Sequence, residues 1–230
     1  MARFGIHARK VYGISLPQLK RLAREVGKDH LLAQALWSSG AHEARLLACF
    51  VENPTEVTRS QMDRWVRDFD NWAVCDGCCL HLLAKIPFAK EKASAWCVRS
   101  QEFVKRAGFS MMAVLAVHDK KASDSLFLQW LRLIQDASRD ERNFVKKAVN
   151  WALRQIGKRN KGLNRAAIRV AKAIQKLDSS SARWIAADAL RELMSEAVQK
   201  RLQNGKIEKT LRTRSVKVKP SGSFPLAELR

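Results

Sequence analysis

Trp72 and Asp76, a tryptophan and an aspartate four residues apart, lie in the most uniformly apolar helical stretch of the chain. Their spacing places both side chains on one face of a helix, where an indole and a carboxylate could enclose a single sugar ring. An ionised carboxylate in such surroundings is costly unless it is paired, hydrogen-bonded or open to a cavity. Two interpretations follow: Asp76 acts on a sugar, or Asp76 pairs with a basic neighbour such as Arg106 while Trp72 belongs to the core.

A second informative stretch is the predicted helix over 140–158, whose residues separate into two faces. The apolar face consists of Phe144, Val145, Ala148, Val149, Ala152, Leu153 and Ile156. The other face carries Lys147, Trp151, Arg154 and Lys158. Cations around an aromatic ring suit a phosphate backbone together with its sugar or base. The alternative is that Trp151 packs against a neighbouring helix and that the cations are merely solvated.

Soft metal ligands are concentrated in one segment, Cys75-x-x-Cys78-Cys79-x-His81. A structural zinc site normally needs two spaced ligand pairs, and the sequence has no second pair of cysteines or histidines. The histidines are scattered, with no serine or aspartate pattern of a catalytic triad, and no glycine-rich phosphate loop occurs. We therefore expect reduced thiols in the core and neither a metal nor an organic cofactor.

The charge balance points to a polyanionic partner. The chain has 43 Lys and Arg against 22 Asp and Glu, a net charge of +21. A broad basic surface binds nucleic acid by releasing condensed counterions, with no need to recognise bases. No apolar stretch is long enough to span a membrane and no secretory leader is evident, so we expect an intracellular protein without a membrane partner.

The elements that must position these residues are helices, because apolar residues recur at three- and four-residue intervals almost throughout. Ser15 before Leu16-Pro17 is a typical helix start. We predict helices over 16–27, 29–38, 41–52, 58–69, 71–84, 88–100, 102–117, 123–136, 140–158, 163–176 and 180–203.

Short segments of the sequence recur at intervals of about 40 residues, the period of paired helices in repeat proteins. The recurring segments are Phe103-Val104-Lys105-Arg106-Ala107, Phe144-Val145-Lys146-Lys147-Ala148 and Trp184-Ile185-Ala186-Ala187. They predict an all-α fold, a curved solenoid of antiparallel HEAT-like helix pairs whose concave side is basic and aromatic, with Arg106 and Phe109 on that side. We assign 1–203 to this domain and 204–230, which is basic and lacks helical periodicity, to a flexible tail.

With these motifs the chain resembles the AlkD family of HEAT-like-repeat alkylpurine DNA glycosylases, from Met1 to about Arg201. The most specific pieces are Trp72-x-x-x-Asp76, Lys105-Arg106-Ala107 and the run from Lys147 to Arg154. The family has a similar tryptophan-aspartate pair, arginine and second tryptophan in that order. Phe4 stands at a position that is often tyrosine in the family, and the chain begins about where the family's second helix is expected.

The resemblance implies roles for the candidate residues. Asp76 would be the catalytic carboxylate, Trp72 and Trp151 would contact the deoxyribose of the damaged nucleotide, and Arg106 would hold a phosphate. The further DNA-contacting residues would be Phe4, Lys105, Lys147, Arg154 and Lys158. The family also implies that the lesion is excised without being flipped into a pocket, unlike in most glycosylases.

The leading hypothesis is thus a DNA glycosylase that removes cationic N3- or N7-alkylated purines from duplex DNA. Such a base is already a good leaving group, so the protein has mainly to stabilise the positive charge that develops on the sugar. One alternative is a non-catalytic protein of the same architecture that binds bent or branched DNA. Another is a protein-binding repeat scaffold, although no obligate protein partner is evident.

Overall fold

The helices begin and end close to the positions that their capping residues indicate. In the computed structural model, which describes residue 6 and residues 10–204, the first helix follows Ser15, whose backbone N–H donates to Gln18 Oε1 at 2.9 Å. The helices are α1 Leu16–Val26, α2 His30–Ser38, α3 His42–Val51, α4 Arg59–Arg67, α5 Trp72–His81, α6 Ala89–Trp96, α7 Glu102–His118, α8 Asp124–Ala137, α9 Asn143–Gly157, α10 Lys161–Gln175 and α11 Ser180–Leu193. A last helix, α12, covers 196–204. The described residues contain no β-strand, so the all-α prediction is confirmed.

Three of the predicted helices end at least three residues earlier than expected, and one of them, predicted over 88–100, ends at Trp96. The helix predicted over 180–203 is divided after Leu193, where the Ser195 hydroxyl donates to Glu192 O at 2.7 Å and accepts from Val198 N at 3.4 Å. A serine that bonds to nearby backbone groups favours the start of a new helix over continuation of the old one. The helix predicted over 71–84 ends at His81, where the backbone of Leu82 leaves helical geometry, and a 3-10 turn, Leu83–Lys85, follows. That turn ends at Ile86, which precedes Pro87, and a residue before proline avoids helical geometry.

Odd-numbered helices from α1 to α11 pack side by side in one layer, each against the next. Cys75 Sγ lies 3.8 Å from Phe103 O and Cys79 Sγ lies 3.7 Å from Ala107 O, so α5 and α7 run in the same direction. We call this row the odd layer; α2, α4, α6, α8 and α10 form the even layer. Asp76, Arg106 and Trp151 all belong to the odd layer.

Four of the seven tryptophans stabilise the even layer. Trp37 stacks on Trp65 with ring centroids 4.1 Å apart, and both are buried. Trp96 donates its indole N–H to Asp63 at 3.0 Å, and Trp130 donates to Ser94 at 2.9 Å. Trp37 also donates its indole N–H, to Asp68 at 2.8 Å. Buried and stacked indoles are stable core elements, so these four residues have a structural role.

Gly108 allows α6 to approach α7 closely. A Cβ atom at this position would lie 2.7 Å from Cys97 Cα and 2.9 Å from Ala93 O, which are backbone atoms that cannot move independently. We therefore expect Gly108→Ala to lower the free energy of unfolding by about 1–3 kcal/mol, as overpacking does. Urea denaturation measures the change.

Gly77→Ala in α5 is the matched control. The added Cβ atom would meet Leu46 Cδ2, the end of a flexible side chain, at 2.8 Å. Because alanine is about 0.5–1 kcal/mol better than glycine within a helix, this variant should be as stable as the wild type or more stable. Equal losses in the two variants would contradict the close-approach explanation.

Some predictions concern residues that the structure does not describe. Phe4 and the predicted tail after residue 204 lie outside the described residues. None of the described helices is both long and apolar enough to cross a membrane.

Candidate active site and nucleic-acid interface

The Asp76 carboxylate lies between α5 and α7. Its Oδ2 accepts from Arg106 Nη2 at 2.6 Å, and its Oδ1 accepts from Arg106 Nε at 3.0 Å and from the Ser110 hydroxyl at 2.8 Å. The Asp76 side chain is still 22% exposed. The ion pair that the sequence left as an alternative is therefore present, and the Asp76 side chain nevertheless remains partly exposed.

Arg106 connects three consecutive helices of the odd layer. It extends from α7 to Asp76 on α5, and its Nη1 donates to Phe144 O on α9 at 2.6 Å. Burial lowers the pKa of the Arg106 guanidinium, but the adjacent Asp76 carboxylate outweighs burial and raises that pKa above its usual value. Arg106 is thus a fixed cation whose direct partners are protein atoms, and its contact with a phosphate stays a prediction.

Exposure divides the tryptophans between the two layers. The four on the even layer are buried, whereas Trp72 and Trp151 on the odd layer are half-buried and Trp184 is 42% exposed. Trp72 is the first residue of α5, one turn before Asp76, and part of Trp151 packs against the hydrophobic core. The odd layer is therefore the side of the molecule on which indoles reach the surface.

Several predicted DNA-binding cations are already paired with carboxylates. Lys105 Nζ lies 2.9 Å from Asp140 Oδ2, and Lys158 Nζ lies 2.6 Å from Glu192 Oε1. Arg154 pairs with Asp188 at 2.9 Å and also contacts Glu192. These side chains are therefore neither merely solvated, as the alternative interpretation expected, nor unpaired. Their roles toward DNA stay predictions.

Burial and the ion pairs shift the pKa values of these carboxylates in opposite directions. Burial raises the pKa of Glu192, but Lys158 and Arg154 outweigh it and lower that pKa overall. Likewise burial raises the pKa of Asp140, and hydrogen bonds from Arg142 and Lys105 lower it below its usual range. Both carboxylates are ionised at neutral pH. Glu192 holds α11 to Arg154 of α9, and Asp140, in the loop before α9, holds that loop to α7.

Two other predicted positions differ from each other in exposure. Lys147 is exposed and makes no ion pair with a described carboxylate, and its contact with a phosphate stays a prediction. Phe109 was expected on the basic concave side, but its side chain is 0% exposed within the core. That expectation was wrong because the residues of α7 from Ala107 to Ala116 are buried all round.

The cysteines near the site are buried thiols. All five cysteines of the chain are unpaired and buried. Burial raises the pKa of Cys75 and of Cys78 well above the usual value, so neither is a nucleophilic thiolate at neutral pH. The described residues hold no cluster of three or more metal-binding side chains.

Sequence reasoning missed three residues of this layer: Ser110, Asp188 and Glu192. Ser110 follows Arg106 by four residues on α7, a spacing that could have revealed it. The carboxylates of α11 could have been found from the repeat period, since Glu192 lies 38 residues after Arg154. Residues one repeat apart lie side by side in the odd layer.

Comparison with known proteins agrees with this architecture. Residues 1–193 match the family model described as "DNA alkylation repair enzyme". The chain belongs to this family. A solved structure, described as "A new family of proteins related to the HEAT-like repeat DNA glycosylases with affinity for branched DNA structures", matches with a TM-score of 0.70. That match covers 89% of this chain and 87% of the other at 21% sequence identity.

The match confirms the predicted HEAT-like repeat fold of this DNA alkylation repair family member. No curated protein matches the chain by sequence.

Proposed function

We propose that this member of the DNA alkylation repair family is a DNA glycosylase that hydrolyses the N-glycosidic bond of cationic N3- or N7-alkylated purines in duplex DNA. The observation that carries the proposal is the Asp76 carboxylate, fixed by Arg106 and Ser110 and 22% exposed on the layer that displays the indoles.

The hydrogen bonds of Asp76 leave its carboxylate able to accept from one more partner. A carboxylate has about four acceptor positions, and Arg106 and Ser110 occupy three of them. The remaining position can accept from a water molecule or face a sugar atom. Because the surrounding bonds already hold the group, it need not reorganise when charge develops, which is the requirement for electrostatic catalysis.

The reaction needs no proton donor for the leaving group. The bond between C1′ and the purine nitrogen breaks, and its electron pair neutralises the cationic base, which departs. The deoxyribose becomes an oxocarbenium ion, which Asp76 and the electron-rich faces of Trp72 and Trp151 stabilise. Water oriented by Asp76 adds to C1′, releases a proton and leaves an abasic site.

Excision without base flipping is part of this proposal. Two cavities of the described part of the chain are lined by other residues, one by Gln155 and Arg159 among others and one by Phe50 and His81 among others, and Asp76 lines neither. A partly exposed Asp76 that lines neither of these two cavities suits a sugar that is approached from the surface of the duplex.

A second candidate function is non-catalytic binding of branched DNA. Two observations favour it: the matched structure is described by its affinity for branched DNA structures, and Arg106 neutralises the charge of Asp76. In that case Asp76 would serve to hold α5, α7 and α9 together, and the site would bind DNA without cleaving it.

Single-turnover release of 7-methylguanine from methylated duplex, measured beside affinity for a four-way junction, decides between the two. We expect the wild type to release the base, and junction binding without release would select the second candidate. Affinity for duplex should fall by about 10³ to 10⁵ between about 50 and 200 mM salt if six to ten phosphates are contacted. A flat salt response would favour a protein-binding scaffold over both.

A further inference from the structure

A basic cavity lies between the C-terminal ends of α1, α3 and α5. Its volume is about 440 Å³, and its lining is Lys20, Ala23, Arg24, Gly27, Lys28, Phe50 and His81. No carboxylate lines it. Four cations further along the odd layer are paired with carboxylates, namely Lys105, Arg106, Arg154 and Lys158, so the cavity is a different electrostatic environment from theirs.

The three lining cations differ in their partners. The Lys28 ammonium donates to Phe50 O at 2.7 Å and to Glu52 O at 2.9 Å, which satisfies carbonyl groups at the end of α3. Lys20 and Arg24, one turn apart on α1, form no ion pair with a described carboxylate. Their charges are available to an anion in the cavity.

Two rings form the apolar wall of the cavity. The Phe50 and His81 rings lie 4.7 Å apart, and Lys20 Nζ lies 5.9 Å from the centre of the Phe50 ring. Burial lowers the pKa of His81 to about 4, with help from Lys20 and Lys85, so the imidazole is neutral at neutral pH. A neutral imidazole beside a phenyl ring offers a face to a planar group.

We propose that this cavity binds a nucleotide that has left the duplex, its base against Phe50 and His81 and its phosphate at Lys20 and Arg24. Stacking platforms flanked by cations are the usual means of binding single strands, and about 440 Å³ lies in the range of small-molecule pockets. The inference rests on the DNA-binding part of the proposed function and not on catalysis.

The cavity lies beyond Asp76 on the same helix. His81 follows Asp76 by five residues, so it lies about 7.5 Å further along α5 and faces α3, whereas Asp76 faces α7. A nucleotide in the cavity would thus belong to the strand flanking the site. It would favour DNA that has a single-stranded flank over flush-ended duplex.

The test measures binding of the full chain to unmethylated DNA by fluorescence anisotropy with three probes. These are a flush-ended duplex, the same duplex with a short thymidine overhang, and the same duplex with an overhang of abasic residues. We expect the thymidine overhang to bind about tenfold more tightly than the abasic one, an effect typical of one stacked base. Equal affinity for the two overhangs would overturn the proposal.

Variants locate the effect in the cavity. Phe50→Leu, which keeps an apolar side chain and removes the ring, should abolish the preference for thymidine over abasic residues. The double variant Lys20→Gln with Arg24→Gln should lower the affinity for both overhang probes until it approaches the affinity for the flush-ended duplex. Arg21→Gln with Arg64→Gln removes the same charge from exposed positions outside the cavity and should keep the preference. Loss of the preference in this control would overturn the assignment.

These binding experiments do not depend on base release. If the chain releases no alkylated base but prefers the thymidine overhang, only the proposed glycosylase activity fails. If it releases the base without that preference, only the cavity assignment fails.

Discussion

Replacing Asp76 with asparagine is expected to slow single-turnover release of 7-methylguanine by about 10² to 10³, the usual cost of removing one electrostatic contact to a transition state. Asparagine has the size of aspartate but no charge, so it offers the oxocarbenium ion only a dipole. Its amide group also places a donor against the donors of Arg106, which disturbs the orientation of the side chain.

Binding should change in the opposite direction from rate. Asp76 is a negative charge exposed on a surface that is proposed to meet phosphates, so its removal should leave affinity for methylated duplex unchanged or raise it. Slow release together with intact affinity is the pattern of a group that acts mainly in the transition state. A parallel loss of affinity and rate would instead indicate a structural defect.

Asp188→Asn is the matched control. Trp184 and Asp188 repeat the spacing of Trp72 and Asp76, and the Asp188 side chain is 19% exposed. Asp188 accepts from Asn150 at 2.7 Å and from Arg154 at 2.9 Å, much as Asp76 is held by Arg106 and Ser110. Asp188 also pairs with Arg191. Each variant removes one carboxylate charge that an arginine holds in the odd layer, so a similar loss of release in both would refute a specific role for Asp76.

Periodicity predicted the helices well because each helix buries one face. The apolar residues predicted for α9, such as Val145, Val149 and Leu153, are buried, and helix bounds differ from prediction by a few residues at most ends. The largest error occurs where a local polar group competes with the helix, as Ser195 does after Leu193. Such competition depends on single hydrogen bonds that periodicity does not contain.

The partners of the polar residues could be predicted only in part. Spacing placed Trp72 and Asp76 on one helix face, and the pairing of Asp76 with Arg106 was one of two stated alternatives. Spacing along one helix says nothing about the acids of the next. Arg154 and Lys158 were therefore predicted only as DNA-contacting or solvated cations, and their carboxylate partners were missed. Ion pairs between neighbouring helices depend on the register of one repeat against the next, and that register can be predicted only when the exact number of residues between the repeats is known.

The burial of Arg106 makes its removal the change with the largest expected effect on stability. We expect Arg106→Gln to lower the free energy of unfolding by about 3–5 kcal/mol, the usual cost of removing one partner of a buried ion pair. The Arg106 side chain is 7% exposed, so little water can replace the guanidinium beside Asp76. The contact with Phe144 O on α9 is lost as well.

Arg154→Gln provides the comparison because Arg154 also binds carboxylates of an adjacent helix. Its side chain is 32% exposed, and Glu192 keeps Lys158 as a second partner. Solvent screening limits such pairs, so we expect a loss below about 1 kcal/mol. Urea denaturation at unchanged m-value measures the free energy of unfolding of both variants. Equal losses would show that Arg106 contributes no more to stability than Arg154 does.

The double variant Arg106→Gln with Asp76→Asn separates the ion pair from the other contacts of Arg106. If the penalty of Arg106→Gln arises mainly from an unpaired Asp76 carboxylate, neutralising Asp76 should restore part of the stability. The cycle should then show a coupling of about 0.5–3 kcal/mol. Additive losses would mean instead that Arg106 acts through Phe144 and packing, and that Asp76 is held in place mainly by Ser110.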